Sequence, residues 1–389
     1  MTAEVGVINR RGVALAADSA VTINRSKVTN SAVKLYTLDS AHYVGIMIFG
    51  NAGLQNVPWE AIIKSYREKL GNKVFDKLND YIDSFKTYVS LLKIWNTQEA
   101  RWSMVQRYVY TIISTINEFV KDNRMTLDKS ISETRKLISA QKYSDIDKDR
   151  LNNDFKAKII SEFKNTFTTI NENQCDKCVK LVIDCLVSDF SPNDYTGIVF
   201  AGYGKSEMFP SICKLLVDGV IDGKVRISNF EVTTCDPLKS DTVASIMPFA
   251  QSDVMKTVIY GIAPELDNFR KQQLDKLKGT ITNCFPEEQQ RTIEELFNSY
   301  DQMFDRHSQS EYTTPITSML KNLSVSELGN MAEMLVNLTA FKRKFSDDIG
   351  TVGGPIDVLT ISKGEGPIWI KRKEYFDKDL NEGYTLRRR

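Results

Sequence analysis

Histidine is almost missing from this chain. His42 and His307 are the two histidines in 389 residues, and neither lies in a recognisable catalytic motif, so a Ser-His or Cys-His engine has little to draw on. If the protein is a hydrolase, its general base is expected to be another group. Cysteine is sparse too. Six thiols (Cys175, Cys178, Cys185, Cys213, Cys235 and Cys284) in a chain of this length do not make a disulfide framework. Cys175-Asp-Lys-Cys178 is a lone C-x-x-C with no second pair and no nearby histidine, short of the four ligands a structural zinc site needs. These read as free thiols on or beside a helix, in a cytoplasmic protein.

Long apolar runs are lacking. Val44–Phe49 and Ile198–Ala201 are strand-sized, far below the roughly 20 residues of a membrane span. Met1-Thr2-Ala3-Glu4 has neither a basic segment nor an apolar one, so no secretory signal is expected. No sign of charge dominates: 51 Lys+Arg against 50 Asp+Glu leave a net +1. That balance excludes a nucleic-acid binder relying on overall positive charge and an acidic disordered scaffold. The sequence has no G-x-x-x-x-G-K-[ST] loop, and nothing in it marks a metal or organic cofactor.

What is present is 42% hydrophobic and 10% aromatic residues, enough for a large core. At about 100–200 residues per domain, the length suggests two or three domains. Glu4–Asn9 and Val13–Ala17 read as short strands around a polar turn at Asn9-Arg10-Arg11-Gly12. Val28–Leu38 and Tyr43–Phe49 give a second pair. From Trp59 to about Asp189 the chain is proline-free and helical in character. Within it Trp102, Val105, Tyr108, Val109, Ile112 and Ile116 recur at three- and four-residue steps, an amphipathic helix needing a partner. Strand character returns over 197–202, 212–217 and 224–232, with Asp222-Gly223 as a hairpin turn, and again at Ser245–Phe249. Gln251–Ile262 reads helical, and Leu266 to about Lys321 is a polar helical excursion. Ser324–Phe345 is a capped helix with Leu328, Met331, Leu335 and Leu338 as its apolar face. Ile356–Ile361 and Ile368–Lys371 close the chain as a hairpin. Strands at both ends and in the middle imply one α+β sheet system interrupted by helical layers, not beads on a string.

Three residues carry the chemistry when taken together: Thr2, Asp18 and Lys34. Removal of Met1 is favoured before a small residue and would free the α-amine of Thr2. That amine has a reference pKa of about 7.7–8.0, so it can accept a proton at neutral pH. A threonine with its own general base needs no histidine, and its hydroxyl can attack a carbonyl to give an acyl-enzyme. Lys34 would supply a cation for the developing negative charge, and Asp18 would hold that cation in place.

Asp18 lies 16 residues after Thr2, and Lys34 lies 16 after Asp18. In this spacing the sequence resembles the proteasome β-subunit family and the proteolytic subunit of the bacterial two-component ATP-dependent protease. Arg11-Gly-Val-Ala-Leu-Ala-Ala-Asp18-Ser19 is similar to the family's first hairpin ending in its acid, and Val33-Lys34-Leu35 to its lysine strand. Gly50 falls where the family supplies a backbone N–H to the oxyanion. Ser245–Ile262 resembles the strand-to-helix crossing behind the active site, and Gly353-Gly-Pro-Ile-Asp-Val358 a strand led by paired glycines near it. The likeness covers about 1–60, 195–262 and 325–375.

The resemblance implies a four-layer α-β-β-α sandwich of the N-terminal nucleophile (Ntn) hydrolases. Its core would be discontinuous, over 1–60, 191–263 and 323–375. A helical layer and insertion would occupy 61–190, a second insertion 264–322, and a charged tail 376–389. It further implies a threonine peptidase or amidase acting on peptides or proteins, a self-compartmentalising homo-oligomer, and a separate ATPase unfoldase. The alternatives are a non-catalytic scaffold whose helical insertions bind a protein, and a stand-alone amidase acting on a small molecule.

Overall fold

The structure is a computed structural model, described here over residues 3–23, 27–39, 41–121, 125–138, 143, 146–192, 195–345, 353–374, 376 and 380. It is mixed α+β. The chain opens with β1 (Glu4–Asn9) and β2 (Gly12–Ala17), a hairpin of unbroken burial. Asn9 explains its turn. Its side-chain oxygen accepts from Arg11 and Gly12 N–H at 2.8 and 3.2 Å, and its amide donates to the Leu320 and Leu323 carbonyls, each at 2.9 Å. The expected strand Val28–Leu38 is two short pieces: β4 (Lys27–Thr29), paired with β3 (Val21–Ile23), and β5 (Leu35–Thr37), paired with β6 (Val44–Gly50). A small ribbon, β7 (Gly53–Leu54) and β8 (Val57–Pro58), leads into the helices.

The proline-free stretch forms α1 (Trp59–Leu70), α2 (Leu78–Ser90), a 3₁₀ turn at Lys93–Asn96, α3 (Gln98–Lys121), α4 (Leu127–Lys136), α5 (Lys148–Thr166) and α6 (Glu172–Val187). Four antiparallel strands come next: β9 (Thr196–Gly202), β10 (Ser211–Ile221), β11 (Lys224–Thr234) and β12 (Ala244–Ala250). Asp222 and Gly223 both have positive φ, 46° and 72°, which suits the tight β10–β11 turn. Beyond them lie α7 (Asp253–Tyr260), α8 (Pro264–Cys284), α9 (Glu287–Ser308), a π-helical turn at Gln309–Thr313, α10 (Thr314–Leu320) and α11 (Val325–Lys344). The last elements are the hairpin strands β13 (Asp357–Ser362) and β14 (Gly366–Lys371).

Two five-stranded antiparallel sheets result, ordered β12-β1-β2-β13-β14 and β11-β10-β9-β6-β5. The two-residue period of a strand divides their side chains between faces. Ile8, Val13, Leu15, Leu359 and Ile361 of the first sheet meet Met47, Phe49, Val199, Ala201 and Ile212 of the second. The other face of the first sheet, Val5, Val7, Ala14, Ala16 and Val358, packs on Leu328, Ala332, Leu335 and Val336 of α11. The small residues at 14 and 16 let the helix approach closely. The outer face of the second sheet, including Ile46, Ile48, Ile198 and Phe200, is covered by α1 and α2.

Helix α11 starts as its sequence dictates, with a reciprocal capping box between Ser324 and Glu327. Its buried face is rotated from the expected one. Leu338 is 40% exposed, and Val336 and Thr339 take the inward positions, because small residues fit against the sheet.

Helices α3–α6 enclose a core of their own, which meets the sheet through Ile221 at the end of β10. A buried polar knot joins the two. Arg226 of β11 donates to Asp218 at 3.2 Å, to the Tyr108 hydroxyl at 2.9 Å, and to the carbonyls of Leu186, Ser188 (3.2 Å) and Phe190 (2.8 Å). Its guanidinium lies over the rings of Tyr108 and Tyr143, at 5.1 and 4.7 Å. Burial, then the Asp218 carboxylate, push the Tyr108 phenol well above its ordinary range, so it stays a neutral donor to Asp218 at 2.9 Å. The arginine thus satisfies carbonyls at the C-terminus of α6 that the helix cannot.

Candidate active site

The register of the first hairpin decides where its acid falls. Glu4 pairs with Ala17, so Asp18 is the first residue past β2 and stands opposite Ala3. The two exchange bonds: Asp18 N–H donates to the Ala3 carbonyl at 3.1 Å, and Ala3 N–H donates to Asp18 Oδ1 at 3.2 Å. Lys34 arrives from the second sheet. Its carbonyl accepts from Ile48 N–H at 2.9 Å, fixing it beside β6, and its Nζ donates to Asp18 Oδ1 at 2.5 Å. Asp18 Oδ2 accepts Gly353 N–H at 3.0 Å. Next to it Ser19 Oγ donates to the Pro355 carbonyl at 2.5 Å.

Lys34 Nζ also lies 3.2 Å from Glu4 Oε1. Glu4, Asp18 and Lys34 are 0, 1 and 4% exposed, so two carboxylates and one ammonium share a space closed to water. Such a group is costly to desolvate, and charge-assisted hydrogen bonds are what offset that cost. Asp18 receives three donors, two of them from the backbone.

The structure therefore brings Asp18 and Lys34 together, and with them Gly353 at the head of the segment entering β13. Gly354 has φ +76°, and a Cβ there would come within 2.8 Å of Asn30, so the turn toward Asp18 requires glycine. Thr2 lies outside the described residues; its neighbour Ala3 is the residue bonded to Asp18. Gly50 ends β6, with φ +78°. The Ile48 N–H faces β5, and the strand period puts the Gly50 N–H, two residues on, along the same edge of β6 as Lys34.

Glu4 was not among the expected site residues. Its signal in the sequence is a charged side chain opening the strand Val5–Ile8, where an ionisable group is buried only when paired. The cavity lined by Val33, Leu35, Tyr36 and Trp369 holds about 110 Å³ and is bordered by none of Glu4, Asp18, Lys34 or Gly50. Among the described residues no cluster of His, Cys, Asp and Glu suits a metal. None of the described helices is long and apolar enough to cross a membrane.

No protein-family model matches the chain, and no curated protein matches it by sequence. Among solved structures, Anbu from Hyphomicrobium sp. strain MC1 aligns over 98% of this chain and 94% of its own, at 10% identity and a TM-score of 0.33. Anbu from Yersinia bercovieri, described as an ancestral beta-subunit, gives the same figures. A helical assembly of the Anbu complex from Pseudomonas aeruginosa aligns over 98% and 92%, at 8% identity and a TM-score of 0.37. Membership of the proteasome β-subunit-like family is not sustained. A member would be expected to match a family model or a curated relative, and this chain matches neither. The likeness to Anbu, at such TM-scores and identities, carries no argument about this chain. The chemistry open to the chain is that of its own residues.

Proposed function

We propose that the protein is an N-terminal-threonine hydrolase of peptide or amide bonds. The succession of α11, two facing sheets, and α1 with α2 is then the four-layer α-β-β-α Ntn arrangement. The observation that carries this reading is the buried Lys34 Nζ–Asp18 Oδ1 contact of 2.5 Å, made at the same carboxylate oxygen that receives the Ala3 N–H. A cation held by an acid that is itself hydrogen-bonded to Ala3, the residue after Thr2 in the chain, suits a nucleophile that carries its own base.

In this mechanism the free α-amine of Thr2 takes the hydroxyl proton as Oγ attacks the substrate carbonyl. The tetrahedral oxyanion draws on the Gly50 N–H, while the Lys34 ammonium supplies fixed positive charge in a water-poor surrounding, where it counts most. The α-ammonium then returns its proton to the leaving amine, leaving an ester on Thr2. Water, activated by the same amine, releases the acid. Asp18 touches no substrate here: it orients Lys34 and ties down Ala3 and Gly353.

Intact mass spectrometry after exposure to an epoxyketone, which traps an N-terminal amine and hydroxyl together, tests the proposal. The expected result is a species lacking Met1 that carries one adduct, with no adduct on Thr2→Ala. Retained Met1, or a processed chain without adduct, would overturn it and favour the non-catalytic scaffold.

A further inference from the structure

The hairpin α8–α9 lies outside the cores described above, and α8 buries none of its residues. Its seam is polar. Arg270 donates to Asp301 at 2.9 Å and lies over Phe304 at 4.0 Å, and Lys278 approaches Glu294 at 4.0 Å. A second set of apolar side chains is exposed. Leu266, Phe269 and Leu277 on α8 and Leu296, Tyr300 and Met303 on α9 are between 47 and 66% exposed.

At 100° per residue, the α9 row falls within an arc of about 60° and the α8 row within about 80°. Measured from the seam residues Arg270, Asp301 and Phe304, both rows are displaced in the same rotational sense. The helices run antiparallel, so equal senses put both rows on one side of the hairpin. They form one apolar stripe, interspersed with the uncharged Gln273, Thr280, Thr292 and Ser299; Lys276 of α8 and Glu288 and Arg306 of α9 are the charged residues at its margin.

We infer that this stripe is an interface with a second copy of the same chain, hairpin against hairpin, burying both stripes in a four-helix arrangement. Area supports self-association. The six side chains expose about 700 Å² in all, near the roughly 800 Å² per partner of a stable interface. Charge supports it as well, because an uncharged stripe meets its own copy without burying like charges. The interface does not depend on catalysis, so failure of either proposal leaves the other standing.

Sedimentation velocity between about 1 and 100 µM tests it. The expected result is that the wild-type chain forms an even-numbered oligomer and that Phe269→Glu/Met303→Glu halves its mass, with an unchanged circular dichroism spectrum. A wild-type monomer throughout, or an unchanged mass in the variant, would overturn the inference. Should the double variant misfold, Leu296→Gln with a spin label on Cys284, the exposed cysteine at the end of α8, gives a second reading. Dipolar coupling between labels is expected in the wild-type chain and at least a twofold weaker signal in Leu296→Gln. Equal coupling in both, or none in either, would also refute the interface.

Discussion

Replacing Lys34 with Met removes a cation shared by two buried carboxylates. Lys34 Nζ is 2.5 Å from Asp18 and 3.2 Å from Glu4. Without it Asp18 keeps the N–H groups of Ala3 and Gly353, while Glu4 loses the ammonium 3.2 Å from its Oε1. Breaking a buried pair from one side costs about 3–5 kcal/mol, and the retained backbone donors place the expected loss near ~4 kcal/mol. With a urea slope of about 4 kcal/mol/M for a chain of this size, the unfolding midpoint falls by roughly 1 M. Removing the second charge as well, in Lys34→Met/Glu4→Gln, restores about 1–2 kcal/mol of this. Urea titrations of the two single variants, the double variant and the wild type, at pH 7, close the cycle. A Lys34→Met midpoint within about 0.2 M of wild type (under ~1 kcal/mol at that slope) would refute the buried ionic cluster. A double variant no more stable than Lys34→Met would show that Glu4 does not face the lysine.

Three further outcomes are expected. Arg226→Met leaves Asp218 buried without its cation and strips the carbonyls beyond α6, so thermal unfolding should show a loss of about 3–5 kcal/mol; a loss under ~1 kcal/mol would contradict the knot. Gly50→Ala forces a left-handed φ and sets a Cβ within 2.6 Å of the Tyr195 carbonyl. It should cost about 2–4 kcal/mol in urea titration and abolish the epoxyketone adduct. Burial pushes the thiols of Cys178, Cys185 and Cys213 up to about 12 and that of Cys235 to about 11. Cys175 is buried with them and Cys284 is exposed, so a disulfide reagent at pH 8 should modify Cys284 alone in the folded chain and all six thiols in denaturant.

Much of the scaffold is legible in sequence where a local rule and the final packing agree. The Ser324/Glu327 box, the Asp222-Gly223 turn and the first hairpin are of this kind, whereas Asp18 and Lys34 meet at 2.5 Å only because the second sheet carries the lysine there. Other features depend on partners far away in the chain. Nothing near Arg226 announces Tyr108 or the end of α6, and nothing near Glu4 announces Lys34. Leu338 fits a helical period yet points outward, because the packing of α11 is set by Ala14 and Ala16 of the sheet below it. The break after β4 falls at the polar Asn30-Ser31, a turn signal in itself, while only the pairing with β6 shows where β5 begins.

The first sheet has a consequence for how the chain is made. Its inner strand β1 pairs Glu4 with Ala250, and β2 pairs Ala17 with Asp357. A nascent chain therefore carries its opening hairpin with the β1 edge open until Ala250 has left the ribosome, and with the β2 edge open until Asp357 has followed. Helices α3–α6, whose core is their own, can consolidate long before. Loop closure over such separations makes the sheet the slow step and leaves unpaired edges as the species at risk of aggregation. Because Asp18 gains Gly353 only in that final closure, the site is assembled last, and an incomplete chain would lack it.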